Sequence, residues 1–289
     1  MKRLLAIVFS LAAIGSPAYA HQPVMDMAPR WSGGYGFQLR YQEFGSDQLL
    51  DGSTEIPNPL GLERNVSVTW LEGVYTFKPS IRATFKLPYV DQQRVKAVNG
   101  VGVHQSTSGL GDLVLGLPLK RYKNHGRVTQ NWGLTPSIRI PTGESSGDFP
   151  IDDGSWDFGL SASYAWENPK VYQLYELFYW KQGQGRNGVR SGDTVGLDLN
   201  AGIHPWHSNE SNSGMFLIWD VSAWHSDSPS GNNLTIASGG TRVLTGPVVV
   251  FYRENFMARV EFKIPAYERV DGVGLSVGNT LWVAFGAAF

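Results

Sequence analysis

The chain has 289 residues, with 24 basic against 25 acidic side chains, 42% hydrophobic and 12% aromatic residues, 10 tryptophans and no cysteine. Near-neutral charge without a basic cluster argues against a nucleic-acid partner, and the lack of cysteine excludes disulfides, thiol catalysis and thiolate metal sites. Beyond the amino-terminal leader no stretch approaches the roughly 18 apolar residues of a membrane-spanning helix, which leaves two classes: a soluble exported β protein or an outer-membrane barrel.

The opening MKRLLAIVFSLAAIGSPAYA places Lys2 and Arg3 before an apolar run from Leu4 to Ile14 and ends on Ala18-Tyr19-Ala20. That is the pattern of a secretory signal peptide over residues 1–20, so the mature chain is expected to begin at His21. Dropping Lys2 and Arg3 leaves 22 basic residues against 25 acidic, a formal charge of −3. Residues 21–33 then read as a periplasmic segment ahead of a barrel over 34–289. In that segment His21 offers an amine and an imidazole to copper, and Met25 and Met27 offer soft thioethers. The alternative is an ordinary tail after a cleavage site, with methionines that merely pack.

From Arg30 onward, short alternating segments are separated by Gly, Asn, Asp, Ser and Pro clusters. They predict strands at 34–45, 66–77, 81–91, 110–122, 130–141, 156–167, 170–181, 193–204, 214–225, 240–252, 256–266 and 274–289. The fold class expected is all-β: a closed antiparallel transmembrane barrel of about 12 strands, with 10 or 14 as alternative counts. Side-chain parity supports it. Leu113, Leu115, Leu117 and Leu119 oppose Asp112 and Lys120, and Val260, Phe262 and Ile264 oppose Arg259, Glu261 and Lys263. Apolar faces also start and end in aromatics, such as Trp156 with Trp166 and Tyr35 with Tyr41, as at the two interfaces of a membrane.

Connections alternate in length. If the chain starts in the periplasm, the inner ones are mostly short, such as "KPS" and "REN", and the outer ones, near 46–65, 92–109, 142–155, 182–192, 226–239 and 267–273, are mostly long. Barrels of the outer membrane sort their loops this way, whereas a sandwich has no reason to. The ending TLWVAFGAAF alternates Leu281, Val283, Phe285, Ala287 against Trp282, Ala284, Gly286, Ala288. It reads as the strand that zips to the first one, with Phe289 as its interface anchor and a tag for the barrel-assembly machinery.

The stretches SGLGDLVLGLPLKRY (108–122), LTPSIRIPTGE (134–144) and DGSWDFGLSASYAW (153–166) resemble the family named for the MetA pathway of phenol degradation, a group of outer-membrane β-barrel transporters. The resemblance rests on Gly109-Leu110-Gly111-Asp112, on Pro141-Thr142-Gly143 and on the terminal aromatic. It implies a small barrel that passes small, often apolar or aromatic, molecules; it carries over no catalytic or binding residue.

Lumen-lining candidates follow from parity: Arg40, Glu72, Arg82, Lys86, Asp112, Arg139, Asp157, Asp198, Asp220, Arg259, Glu261 and Lys263. They read either as a mutually neutralised prop for the barrel or as a polar path that selects solutes by field and width. His104 with Ser106 and His225 with Ser226 lack a nucleophile motif and an orienting third group, so no enzyme is expected. Asp51, Asp152 and Asp153 read as solvated loop acids with a capacity for divalent or lipopolysaccharide-bridging ions. The function expected is an outer-membrane channel for small solutes, apolar or aromatic ones among them, by passive or gated diffusion and with no cofactor. Its alternatives are a structural or adhesion barrel without flux and a copper-binding barrel. Copper titration tests the last: equal weak binding by the mature protein and its His21→Ala variant removes the metal reading.

Overall fold

Segments whose side chains alternate in character cannot bury a helical stripe, and they fold as strands throughout: the described residues contain no helix. The structure is a computed structural model that describes residues 29, 31–144, 149–186, 188–208, 210–231 and 239–289. The expected signal segment and His21, Met25 and Met27 lie outside them. Twelve barrel strands follow in chain order: β1 (Tyr35–Ser46), β2 (Glu63–Lys78), β3 (Ile81–Val98), β4 in three pieces (Val101–Leu110, Leu113–Gly116, Leu119–His125), β5 (Val128–Ile140) and β6 (Asp157–Glu167). Then come β7 (Val171–Lys181), β8 (Thr194–Ser208), β9 (Ser213–Ser226), β10 (Gly240–Arg253), β11 (Phe256–Val270) and β12 (Thr280–Ala288).

Each strand pairs antiparallel with its chain neighbours, and β12 pairs with both β11 and β1. Phe285 lies opposite Leu39 on one side and Ala258 on the other, so the sheet closes. The breaks in β4 have local causes. Pro118 has no N–H to give the ladder, yet Arg82 N–H donates to Pro118 O (3.0 Å) and Lys120 N–H to Ser80 O (2.8 Å), so pairing resumes at once.

Three expectations are corrected. The stretch 92–109 is not a loop: β3 and the first piece of β4 continue as a hairpin turning at Asn99 (φ 50°) and Gly100 (φ 80°). An Asn-Gly pair with both residues at positive φ is a two-residue hairpin turn. The closing strand starts at Thr280 rather than at 274, because Val273–Leu275 pairs instead with Leu49–Asp51, which pairs with Thr54–Ile56, in a separate small sheet. The predicted strand at 110–122 is interrupted at 111–112 and 117–118.

Parity sorts the faces as expected. Leu115, Leu117, Leu160, Leu177, Val260, Phe262, Leu281 and Phe285 point outward and are exposed, Phe285 by 63%, while Glu72 and Glu261 between them are fully covered inside. Tyr35, Phe37, Tyr75, Phe77 and Phe289 gather on the outer surface at the end holding both described termini and the short turns. At the opposite, loop end the long connections join into a ring. The small sheet packs Leu49, Leu62 and Leu275 on Ala97 of the hairpin. Gln92 of the hairpin donates to Pro150 O (3.1 Å), and Arg186 N–H donates to Asp153 O (3.0 Å). Arg190 and Ser230 exchange backbone bonds (2.7 and 2.9 Å), and Asp271 N–H donates to Gly239 O (3.0 Å).

Leu177 sits mid-strand on β7 and is 55% exposed. If this face meets hydrocarbon, Leu177→Arg destabilises the folded barrel in lipid vesicles by about 2–4 kcal/mol. Reversible denaturant titration measures it, and a cost near zero means the face meets water.

Candidate functional site

Closure encloses a barrel interior whose side chains are layered along the axis. In the loop-end half, Phe178, Trp180, Trp224, Leu244 and Val114 form a buried apolar cluster. The rings lie flat because the neighbouring strands offer glycine: a Cβ on Gly159 would stand 2.8 Å from the Trp180 ring, and Gly196 sits under Phe178 in the same way. In the turn-end half, Ile218, Val248 and Val250 pack with Tyr172 and Phe216. Beside them His204 stacks on Phe216 (4.2 Å between centroids) and bonds Tyr252 Oη through Nε2 (3.0 Å).

Between the two lies a charged belt. Arg40 pairs with Glu72 (2.7 Å), Gln38 donates to the same carboxylate (2.9 Å), and the guanidinium is held between Trp70 and Trp282 at 5.3 and 4.8 Å. Opposite parity is not available to these groups, since each neighbours an outward residue on both sides. Across the wall, Lys263 Nζ reaches Asp220 Oδ1 (2.6 Å), Glu261 Oε1 (2.9 Å) and Ser222 Oγ (2.8 Å), while Arg259 donates to Glu261 Oε2 (2.6 Å). Lys86 is buried and lies opposite Glu72 in the ladder, and Asp198 lies opposite Glu176. Within the belt lies a cavity of about 30 Å³ bordered by Arg40, Glu176, Asp198, Asp220, Arg259 and Trp282. That is room for about one or two waters.

Eight of the twelve candidates, Arg40, Glu72, Lys86, Asp198, Asp220, Arg259, Glu261 and Lys263, thus sit at this middle level. Arg82 is nearer the turn end and donates to Tyr122 Oη (2.7 Å). Arg139 and Asp157 pair at 2.7 Å near the loop end, with Arg139 over the Trp180 ring at 4.9 Å. Asp112 occupies the first break in β4 and accepts from Gly143 N–H (2.9 Å). Parity alone reaches Gln38 and Gln42, two residues either side of Arg40, and Lys120, which donates to Ser163 Oγ (2.8 Å). Glu176, Phe178 and Trp180 are harder to find, because β7 reads VYQLYELFYW and both its faces are largely apolar.

The loops hold charge differently. Asp193 accepts from Tyr179 Oη, Lys181 Nζ, Gln182 N–H and Arg190. Burial works against its charge, but these donors outweigh it and hold the carboxyl well below the usual range. Asp152 and Asp153, expected to be solvated, are only partly exposed. The two His–Ser pairs do not assemble: His225 Nδ1 bonds Thr241 Oγ1 (3.0 Å) while Ser226 Oγ bonds Thr194 Oγ1 (2.9 Å) on the opposite face of β9, and His104 and Ser106 are both exposed on the hairpin.

A closed twelve-strand barrel with an apolar outer belt and a charged interior is an outer-membrane β-barrel, and its place is the bacterial outer membrane. The chain belongs to the family described as "Putative MetA-pathway of phenol degradation", whose model matches residues 59–284. Its fold is that of the COG4313 outer membrane channel from Pseudomonas putida F1, with a TM-score of 0.70 at 17% identity over 93% of this chain and 99% of that one. The β domain of the Bordetella autotransporter BrkA is a more distant likeness, with a TM-score of 0.49 at 12% identity over 89% of this chain and 100% of that one. A comparison with curated proteins finds no match.

Removing Lys263 leaves Asp220 and part of Glu261 buried without their cation. Lys263→Met therefore costs about 3–5 kcal/mol, read as a lowered denaturation midpoint, and pairing it with Asp220→Asn recovers part of that loss.

Proposed function

We propose that the barrel passes small aromatic or apolar solutes across the outer membrane by diffusion along its axis, with the loop end outward and the turn end in the periplasm. The observation that carries this reading is the order of layers: a cluster with two tryptophans, then a charged belt, then a second apolar and aromatic cluster. A solute with an aromatic face and one polar group is offered a contact at every level, by stacking or cation–π attraction at the rings and by hydrogen bonds at the belt. The belt is nearly filled, so passage requires its long side chains to swing aside, which gives small solutes a steep size limit. The family's description, which names phenol degradation, supports the same solute class. The outward Phe289 ring, tilted against Tyr35 (5.6 Å between centroids), fits the proposed recognition by the assembly machinery.

The test is uptake into proteoliposomes. Phenol-sized aromatics should enter faster than sugars of equal mass, and Phe178→Ala with Trp180→Ala should lower that preference severalfold while leaving the barrel folded. Absence of flux for every solute favours the rival reading, a structural or adhesion barrel.

A further inference from the structure

The two motifs Gly109-Leu110-Gly111-Asp112 and Pro141-Thr142-Gly143 meet in space. Thr142 Oγ1 accepts from Leu113 N–H (2.9 Å) and donates to Gly111 O (3.3 Å), while Gly143 N–H donates to Asp112 Oδ1 (2.9 Å). What they enclose comes from the loop that follows. A Cβ on Gly111 would lie 2.9 Å from Asp152 Oδ2, one on Gly143 would collide with the same oxygen, and one on Gly109 would lie 2.8 Å from Ile151 Cδ1. None of these glycines has positive φ. They are glycine because Ile151 and Asp152 come too close for a side chain.

The rest of the segment is docked beside them. Phe149 and Ile151 are buried, Arg94 of the hairpin stands 3.9 Å over the Phe149 ring, and Gln92 donates to Pro150 O (3.1 Å). Residues 149–153 therefore lie on the inward face of the β3–β4 hairpin, at the loop-end mouth of the lumen. Two carboxylates, Asp112 and Asp152, share this joint. Arg139 faces them from β5, Asp157 from β6, and Asp153 from the loop itself. Glu144 points toward Gly109, and Arg186 of the next loop covers Gly154. Arg139 is already engaged by Asp157 at 2.7 Å.

We propose that this joint is a proton-held latch: a proton shared by Asp112 and Asp152 keeps segment 149–153 docked at the mouth, and its loss drives the carboxylates apart and frees the segment. The consequence for flux rests on the channel reading above. Two adjacent anions in a poorly hydrated joint repel strongly, whereas an acid beside an anion makes a hydrogen bond. Gly143 N–H stabilises charge on Asp112 and the Asp112 backbone N–H does the same for Asp152, so neither carboxylate alone claims the proton. Burial pushes the Asp152 carboxyl up to about 6, with Arg139 and the Asp112 backbone N–H opposing and Asp153 and Asp157 adding. The docked segment thus binds the proton more tightly than the free one does. Docking is strongest below the ordinary carboxylate range near 4 and weakens as pH rises through about 6, by about tenfold between pH 5 and pH 8.

Hydrogen exchange reads the latch directly, because Ile151 and Asp152 N–H both donate to Glu144 O (3.0 and 3.2 Å). In vesicle-reconstituted protein, and after correction for the intrinsic pH dependence of exchange, their protection should fall about tenfold from pH 5 to pH 8. Asp152→Asn should keep its protection at pH 8, and Asp112→Asn serves the same purpose if the first variant folds poorly. Wild-type protection that does not change with pH overturns the latch. Uptake of phenol measured in parallel should rise over the same interval. Protection that falls while uptake stays level overturns the control of the mouth, and protection that falls with no uptake at any pH retains the latch and refutes the channel.

Discussion

In hydrocarbon every backbone N–H and C=O has to find a partner within the protein, so a spanning sheet has to close on itself. Here that requirement falls on β12, whose nine residues pair with β11 on one side and β1 on the other. Closure in turn fixes register, and register fixes which residues meet lipid. A slip of one residue in β11 would move Arg259, Glu261 and Lys263 from the interior to the outer belt. At about 2–4 kcal/mol for each basic residue alone, that error outweighs any gain available from side-chain repacking. The apolar outside and the charged inside are two results of one pairing constraint.

The interior could have been filled more cheaply. Buried ion pairs seldom stabilise a fold more than apolar side chains of the same volume, yet this barrel keeps Arg40–Glu72, Lys263–Asp220, Lys263–Glu261 and Arg259–Glu261 at one level. Trp70 and Trp282 cover Arg40 and so raise the strength of its pair by excluding water. On the proposed function, paired charges between two aromatic clusters serve as groups that exchange partners when a solute's polar group passes, since each can transfer its hydrogen bonds without being left bare.

Much of this was legible in the sequence because a strand's period of two is so easily read. Alternation marks each of the twelve barrel strands, and parity alone assigns Arg40, Glu72 and Lys263 to one face. Failures have physical causes too. The hairpin over 92–109 was missed although Asn99-Gly100 marks it, because polar residues on both faces hide the alternation outside the membrane. The aromatic lumen of β7 was missed for the converse reason: apolar residues on both faces leave parity without contrast. The small sheet joining Leu49–Asp51 to Val273–Leu275 depends on segments more than 200 residues apart, which no local pattern can announce.

The short motifs teach a different lesson. Gly-x-Gly-Asp and Pro-Thr-Gly invite a reading as a ligand cradle, but in this fold they cradle the protein's own loop. Their position then matters more than their chemistry. Among the described residues, the joints of the loop-end ring include backbone hydrogen bonds and apolar contacts that carry no titrating group. The joint at Asp112 and Asp152 brings two like charges together instead. Because the barrel wall is held rigid by its closed ladder, any opening has to come from rim and side chains. On the proposed reading, selection falls to the belt of ion pairs in the middle, and access falls to the joint at Asp112 and Asp152, which a proton holds closed and its loss loosens.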